Sequence, residues 1–158
     1  MLQFFKNILQ TNEENSRENL IPEKDSIKIA TCALFLEIAN SDDNLDKSEI
    51  DTIYSVMKST FSLSDEAIEN LIVLSQEQVE SSVSLYEFTD VINKTFTEDQ
   101  KFEVLKNLWR IILADNKLDP HEEHFIKKIG GNLMFYHKDL IAAKMEVKNE
   151  LKNSASKV

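Results

Sequence analysis

The sequence predicts an all-α fold, and three observations carry that prediction. Apolar residues recur at helical spacing through long stretches of the 158 residues. Only two glycines and two prolines occur, too few turn formers for a sheet of many short strands. The segment Ser41-Asp42-Asp43-Asn44-Leu45-Asp46-Lys47-Ser48-Glu49 also recurs 73 positions later as Ala114-Asp115-Asn116-Lys117-Leu118-Asp119-Pro120-His121-Glu122. Asp, Leu, Asp and Glu keep the same relative places, and apolar positions run in step around them: Ile38 with Ile111, Ile53 with Ile126, Val56 with Ile129, Ile68 with Ile141. One helix–acidic turn–helix unit is therefore used twice within a single domain of about seven helices.

Taken in order, residues 1–24 read as an N-terminal amphipathic segment followed by a polar linker, and the helical domain spans 25–152. Ile27, Ala30, Ala33, Leu34 and Ile38 place the first helix, which runs to about Asn40. Ile50, Ile53, Tyr54 and Met57 mark the second. The third starts at Ser64, where Leu63 and Ile68 form a hydrophobic staple. Ser84 with Glu87 and Thr97 with Gln100 are capping boxes for the fourth and fifth helices. Pro120 opens a sixth, which the glycines at 130 and 131 are expected to weaken or stop. A seventh starts near Lys138, carries Leu140, Ile141, Met145 and Val147, and frays into a tail at 153–158. Three helices are thus repeated as three, with one between the sets.

The net charge of −10 disfavours nucleic acid, because the long-range field repels phosphate. It favours cations or basic protein surfaces. The single cysteine, Cys32, lies in an apolar stretch and reads as a small buried hydrophobe, which fits a reduced, cytoplasmic setting. Residues 1–9 lack a cleavage site and contain Lys6, so they are not a signal peptide. They are expected to pack on the domain, with peripheral membrane association as the alternative. With two adjacent glycines as the whole supply, no phosphate loop can form, and no nucleophile pair is visible. The expectation is a protein that is not an enzyme and acts through a protein partner.

The chemistry lies in the acidic corners. Asp46 with Glu49 and Asp119 with Glu122 are each Asp-x-x-Glu at a helix start, which capping and the helix dipole explain. Asp42 and Asp115 fall where the preceding helix ends, beside orphan carbonyls whose field disfavours a carboxylate. Crowded carboxylates next to free carbonyl oxygens form an all-oxygen donor set suited to a divalent cation, Ca²⁺ above all. The candidate ligands are Asp42, Asp46 and Glu49 in one corner and Asp115, Asp119 and Glu122 in the other. Neither copy is an EF-hand: Lys47 stands where its glycine would be and Ile53 where its bidentate glutamate would be. His121 and His124 are three apart rather than four and read as solvated helix residues, not a zinc pair.

The chain resembles the tellurite-resistance TerB family over about 27–147. The carriers are Leu36-Glu37-Ile38-Ala39-Asn40-Ser41-Asp42 leading to Glu49, and Leu108-Trp109-Arg110-Ile111-Ile112-Leu113-Ala114-Asp115 leading to Glu122. The family pattern is an apolar helix ending in Ala-Asp-Gly with a glutamate seven residues after the aspartate. Both spacings hold, but Asp43 and Asn116 replace the glycine. The resemblance implies an all-helical pseudo-symmetric domain, a divalent-cation site at the matched acids, and a cytoplasmic protein of chemical-stress tolerance, sometimes near the inner membrane. TerB-like domains also occur in co-chaperones, so a metal-independent helical adaptor stands as the alternative.

Overall fold

The computed structural model describes residues 23–40, 47–80, 85–115 and 119–155. The amphipathic segment 1–9, Asp42, Asp43, Asp46, Ser84, Asn116 and Leu118 lie outside them, and of Asp115 only the backbone is described. The elements are α1 (Glu23–Ala39), α2 (Lys47–Phe61), α3 (Asp65–Glu80), α4 (Leu85–Thr95), α5 (Glu98–Ile112), a 3-10 turn (Leu113–Asp115), α6 (Pro120–Asn132) and α7 (His137–Ala155). Among the described residues there is no strand, and α7 continues past Lys152 to Ala155. The all-α class and the three-one-three order are as the sequence predicts.

Helix α1 is the axis of the domain. Residues from Ile29 to Leu36 are all buried, as are Ile38 and Ala39, so the helix is enclosed on every side. Its small residues Ala30, Cys32 and Ala33 leave room for helices α2 to α6, all of which pack against it. Two hydroxyls are accommodated by bonding to helix carbonyls: Thr31 donates to Ile27 O at 2.7 Å and Ser75 of α3 donates to Ile29 O at 3.4 Å. Helix α5 plays the corresponding part in the second unit, burying Val104, Leu105, Leu108, Trp109, Ile111 and Ile112. Trp109 is a core residue whose Nε1 donates to Leu140 O at 3.1 Å.

Local signals account for the helix starts. Thr97 and Gln100 form the reciprocal capping box, with bonds of 3.3 and 2.9 Å. Ser64 Oγ accepts from Ala67 N at 3.2 Å, and Ile68 behind it is fully buried.

Two expectations are corrected. Gly130 and Gly131 lie inside α6 and do not stop it. The helix ends at Asn132, and the left-handed residue is Met134, at φ 68°. Phe135 N bonds Gly130 O at 2.9 Å and Met134 N bonds Gly131 O at 3.1 Å, the Schellman arrangement built without a left-handed glycine. The second correction concerns Ile68 and Ile141, which are not structural equivalents. Ile68 is buried, whereas Ile141 is 43% exposed and Met145 51%. The first unit reaches its left-handed residue at Ser62, thirteen positions after Glu49; the second reaches Met134 only twelve after Glu122. Beyond those residues the offset is 72, and Ile68, Leu71 and Ser75 correspond to the buried Leu140, Ala143 and Val147. One residue on a helix is a rotation of about 100°, enough to swing Ile141 outward.

Candidate functional site at the acidic corners

Each corner is framed by the end of one helix and the start of the next. The incoming helices end without a free cation. Helix α1 has no basic residue in its last turn, and Arg110 of α5 is turned aside to Glu150, with bonds of 2.8 and 2.9 Å. Helix α5 tightens into the 3-10 turn that ends at Asp115, where Leu113 N–H donates to Trp109 O. Asp115 therefore follows directly on a C-terminal turn, where carbonyl oxygens concentrate negative potential. Near the first corner, burial holds the Glu37 carboxyl above its ordinary value.

The outgoing helices bear a matching pair of acids. Glu49 and Glu122 are each the third residue of their helix, and both are buried, at 1% and 2% exposure. Asp119 is the cap of α6, its Oδ1 accepting from His121 N at 2.7 Å, with Pro120 in the first helical position. That bond goes to the second amide and not to Glu122's own. Asp119 thus caps α6 as the Asp-x-x-Glu spacing predicts, and Glu122 is buried behind it.

The elements that frame the two corners also pack on one another. Helix α2, which opens at the first corner, packs against the Leu113–Asp115 turn that leads into the second, and α1 packs against α6. Among the described residues, no group of three His, Cys, Asp or Glu side chains stands together in metal-binding array. A complete ligand set would need Asp42 and Asp46, or Asp115, in addition to Glu49, Asp119 and Glu122. The donor chemistry is all carboxylate and carbonyl oxygen, which fits a hard divalent cation. His121 and His124 are exposed on α6, as expected of solvated residues.

A family model described as tellurite resistance protein TerB matches residues 28–145. The chain belongs to the TerB family. The match covers both corners and, at least in part, each of the seven helices among the described residues. No curated protein and no solved structure matches the chain.

Two features of this TerB domain escape a reading of motifs. One is Lys101, 4% exposed, whose Nζ donates to Leu133 O at 3.1 Å and Asn93 Oδ1 at 3.3 Å and pairs with Glu98 at 2.8 Å. With Asn93 Nδ2 on Asn132 O at 2.8 Å, it satisfies the last carbonyls of α6. A lysine at that place in the α5 sequence looks like an ordinary surface residue. The other is a cleft of about 490 Å³ between the end of α2 and the start of α5, with the stacked Phe61 and Phe96 in its lining. It has no sequence motif.

Proposed function

We propose that this TerB-family chain is a non-enzymatic domain of chemical-stress tolerance that binds a divalent cation, with Ca²⁺ favoured, at its two acidic corners. Asp42, Asp46 and Glu49 serve the first corner and Asp115, Asp119 and Glu122 the second. The observation that carries this reading is the paired burial of Glu49 and Glu122 at the same place in the two units. An enclosed carboxylate needs donors or cations around it, and the same need recurs at both corners. Ca²⁺ suits the set because it takes many oxygen ligands in adaptable geometry, including the carbonyls at a helix end. Bound there, the ion would tie the end of one helix to the start of the next and so fix the surface offered to a protein partner.

The alternative, a metal-independent adaptor, is favoured by one observation: Asp119 already has a role as a cap. Thermal melting in Ca²⁺, Mg²⁺, Mn²⁺ and Zn²⁺ separates the two. Cation binding predicts a melting temperature that rises with millimolar or lower Ca²⁺, and a smaller rise for Asp42→Asn with Asp115→Asn. An unchanged melting temperature in every ion would leave the adaptor.

A further inference from the structure

Charge is divided unevenly along this acidic chain. Residues 1–119 hold 23 acidic and 11 basic side chains, whereas residues 120–158 hold 5 acidic and 7 basic. The structure widens that difference. Lys58, Lys94, Lys101, Lys106 and Arg110 on the earlier helices are all paired with carboxylates. Lys127 and Lys128 of α6 and Lys138, Lys144, Lys148 and Lys152 of α7 form no ion pair among the described residues, and all but Lys144 are exposed. The acids of α7 are turned away: Asp139 accepts from Tyr136 N at 2.9 Å, Glu146 reaches Lys106 at 3.4 Å, and Glu150 holds Arg110.

What remains outward on α7 is one strip. Lys138, Ile141, Met145, Lys148 and Lys152 follow at spacings of three and four, a single helix face roughly 20 Å long. Tyr136, 74% exposed, continues it, with Lys138 Nζ 5.9 Å from its ring, and Met134 beside it is 72% exposed. Of the seven large apolar residues exposed among those described, five lie between 134 and 151. The indentation beside the strip, near Trp109, Ile141 and Lys144, holds only about 20 Å³, too little to seat an anchoring side chain from a partner protein.

We propose that this face of α7, with the Met134–Tyr136 turn, docks on an anionic lipid surface. Lysines interleaved with isoleucine, methionine and an interfacial tyrosine are the composition of a helix lying in a headgroup layer. Each lysine gains from the negative surface potential while the apolar side chains enter the acyl boundary. The net charge of −10 slows approach to any anionic surface, but at contact the local lysines decide, because salt screens charges more than about 10 Å away. The surface includes none of residues 1–9 and none of the proposed cation ligands, so it stands or falls independently of cation binding.

Flotation of the full chain with phosphatidylcholine vesicles, with and without phosphatidylglycerol, tests the assignment. Binding is expected only with phosphatidylglycerol and is expected to weaken as salt rises. Lys138→Glu with Lys148→Glu and Lys152→Glu should cut binding by about tenfold or more, and Ile141→Ser with Met145→Ser should also weaken it. These positions are exposed, so the helical circular-dichroism signal and melting temperature should match the parent. Phe4→Ser with Phe5→Ser should bind like the parent. Absence of binding, equal binding to both vesicles, or loss of binding in the Phe4/Phe5 variant alone would each overturn the proposal. Retention on a polyglutamate peptide without retention on vesicles would overturn it in favour of an acidic protein partner.

Discussion

Gly130 and Leu140 meet where α6 lies on α7: a Cβ built on Gly130 would stand 2.9 Å from Leu140 Cδ2 and 3.0 Å from both Cδ1 and Cγ. The glycine is there for close approach of two helices and not for a left-handed turn. Its neighbour Gly131 has nothing within 4 Å of the same position. Opposite signs follow for two adjacent substitutions. Gly131→Ala should stabilise by up to about 1 kcal/mol through helix propensity. Gly130→Ala gains the same propensity but forces Leu140 out of its packing, at a cost of about 1–3 kcal/mol, for a net loss. Urea unfolding of both variants checks this.

Burial pushes the Cys32 thiol up from its ordinary 9.0 to about 11, a rise that a hydrogen bond with Ser75 only partly offsets. The native thiol should therefore resist a disulfide reagent at pH 8 and react fully once urea unfolds the chain. The fold favours the protonated form. Its contribution is complete below pH 9 and is lost as pH rises from about 9 to about 11, by no more than roughly 2–3 kcal/mol. Cys32→Ala should flatten that part of the stability profile.

Lys101 and Lys94 both pair with carboxylates, but their side chains are 5% and 70% exposed. Lys101→Met leaves the Leu133 carbonyl without its buried donor and should cost about 1–3 kcal/mol. Lys94→Met breaks a screened surface pair and should cost less than about 0.5 kcal/mol. A comparison of denaturation midpoints separates the two.

Much of the fold was legible because the corner motif is unusually regular. Its Asp, Leu, Asp and Glu set the two units in register, and capping residues such as Thr97 and Ser64 placed helix starts. Where the register failed, at Ile68 and Ile141, the cause was a single residue fewer before Met134 than before Ser62. One residue fewer toward the end of α6 leaves local periodicity intact on both sides, so nothing in the pattern marks it. The depth of Glu49 and Glu122 was equally hidden, since a third-position glutamate looks alike whether it caps or is enclosed. The lysine face of α7 needed the tertiary contacts, because its sequence alternates lysine with glutamate. Only the pairing of Glu146 and Glu150 with α5 separates the signs. Asp42 and Asp46 lie outside the described residues, and Asp115 contributes its backbone alone.

The cation proposal is tested most directly by calorimetric titration of Ca²⁺ into the full chain, alongside Glu49→Gln, Glu122→Gln and the double variant. Gln keeps the volume of the buried side chain and removes its charge. The predicted result is binding at two sites in the parent, one remaining site in each single variant, and none in the double variant, with the helical signal retained throughout. Heat of binding that is absent in the parent, or unchanged in the double variant, would contradict a cation site at the corners.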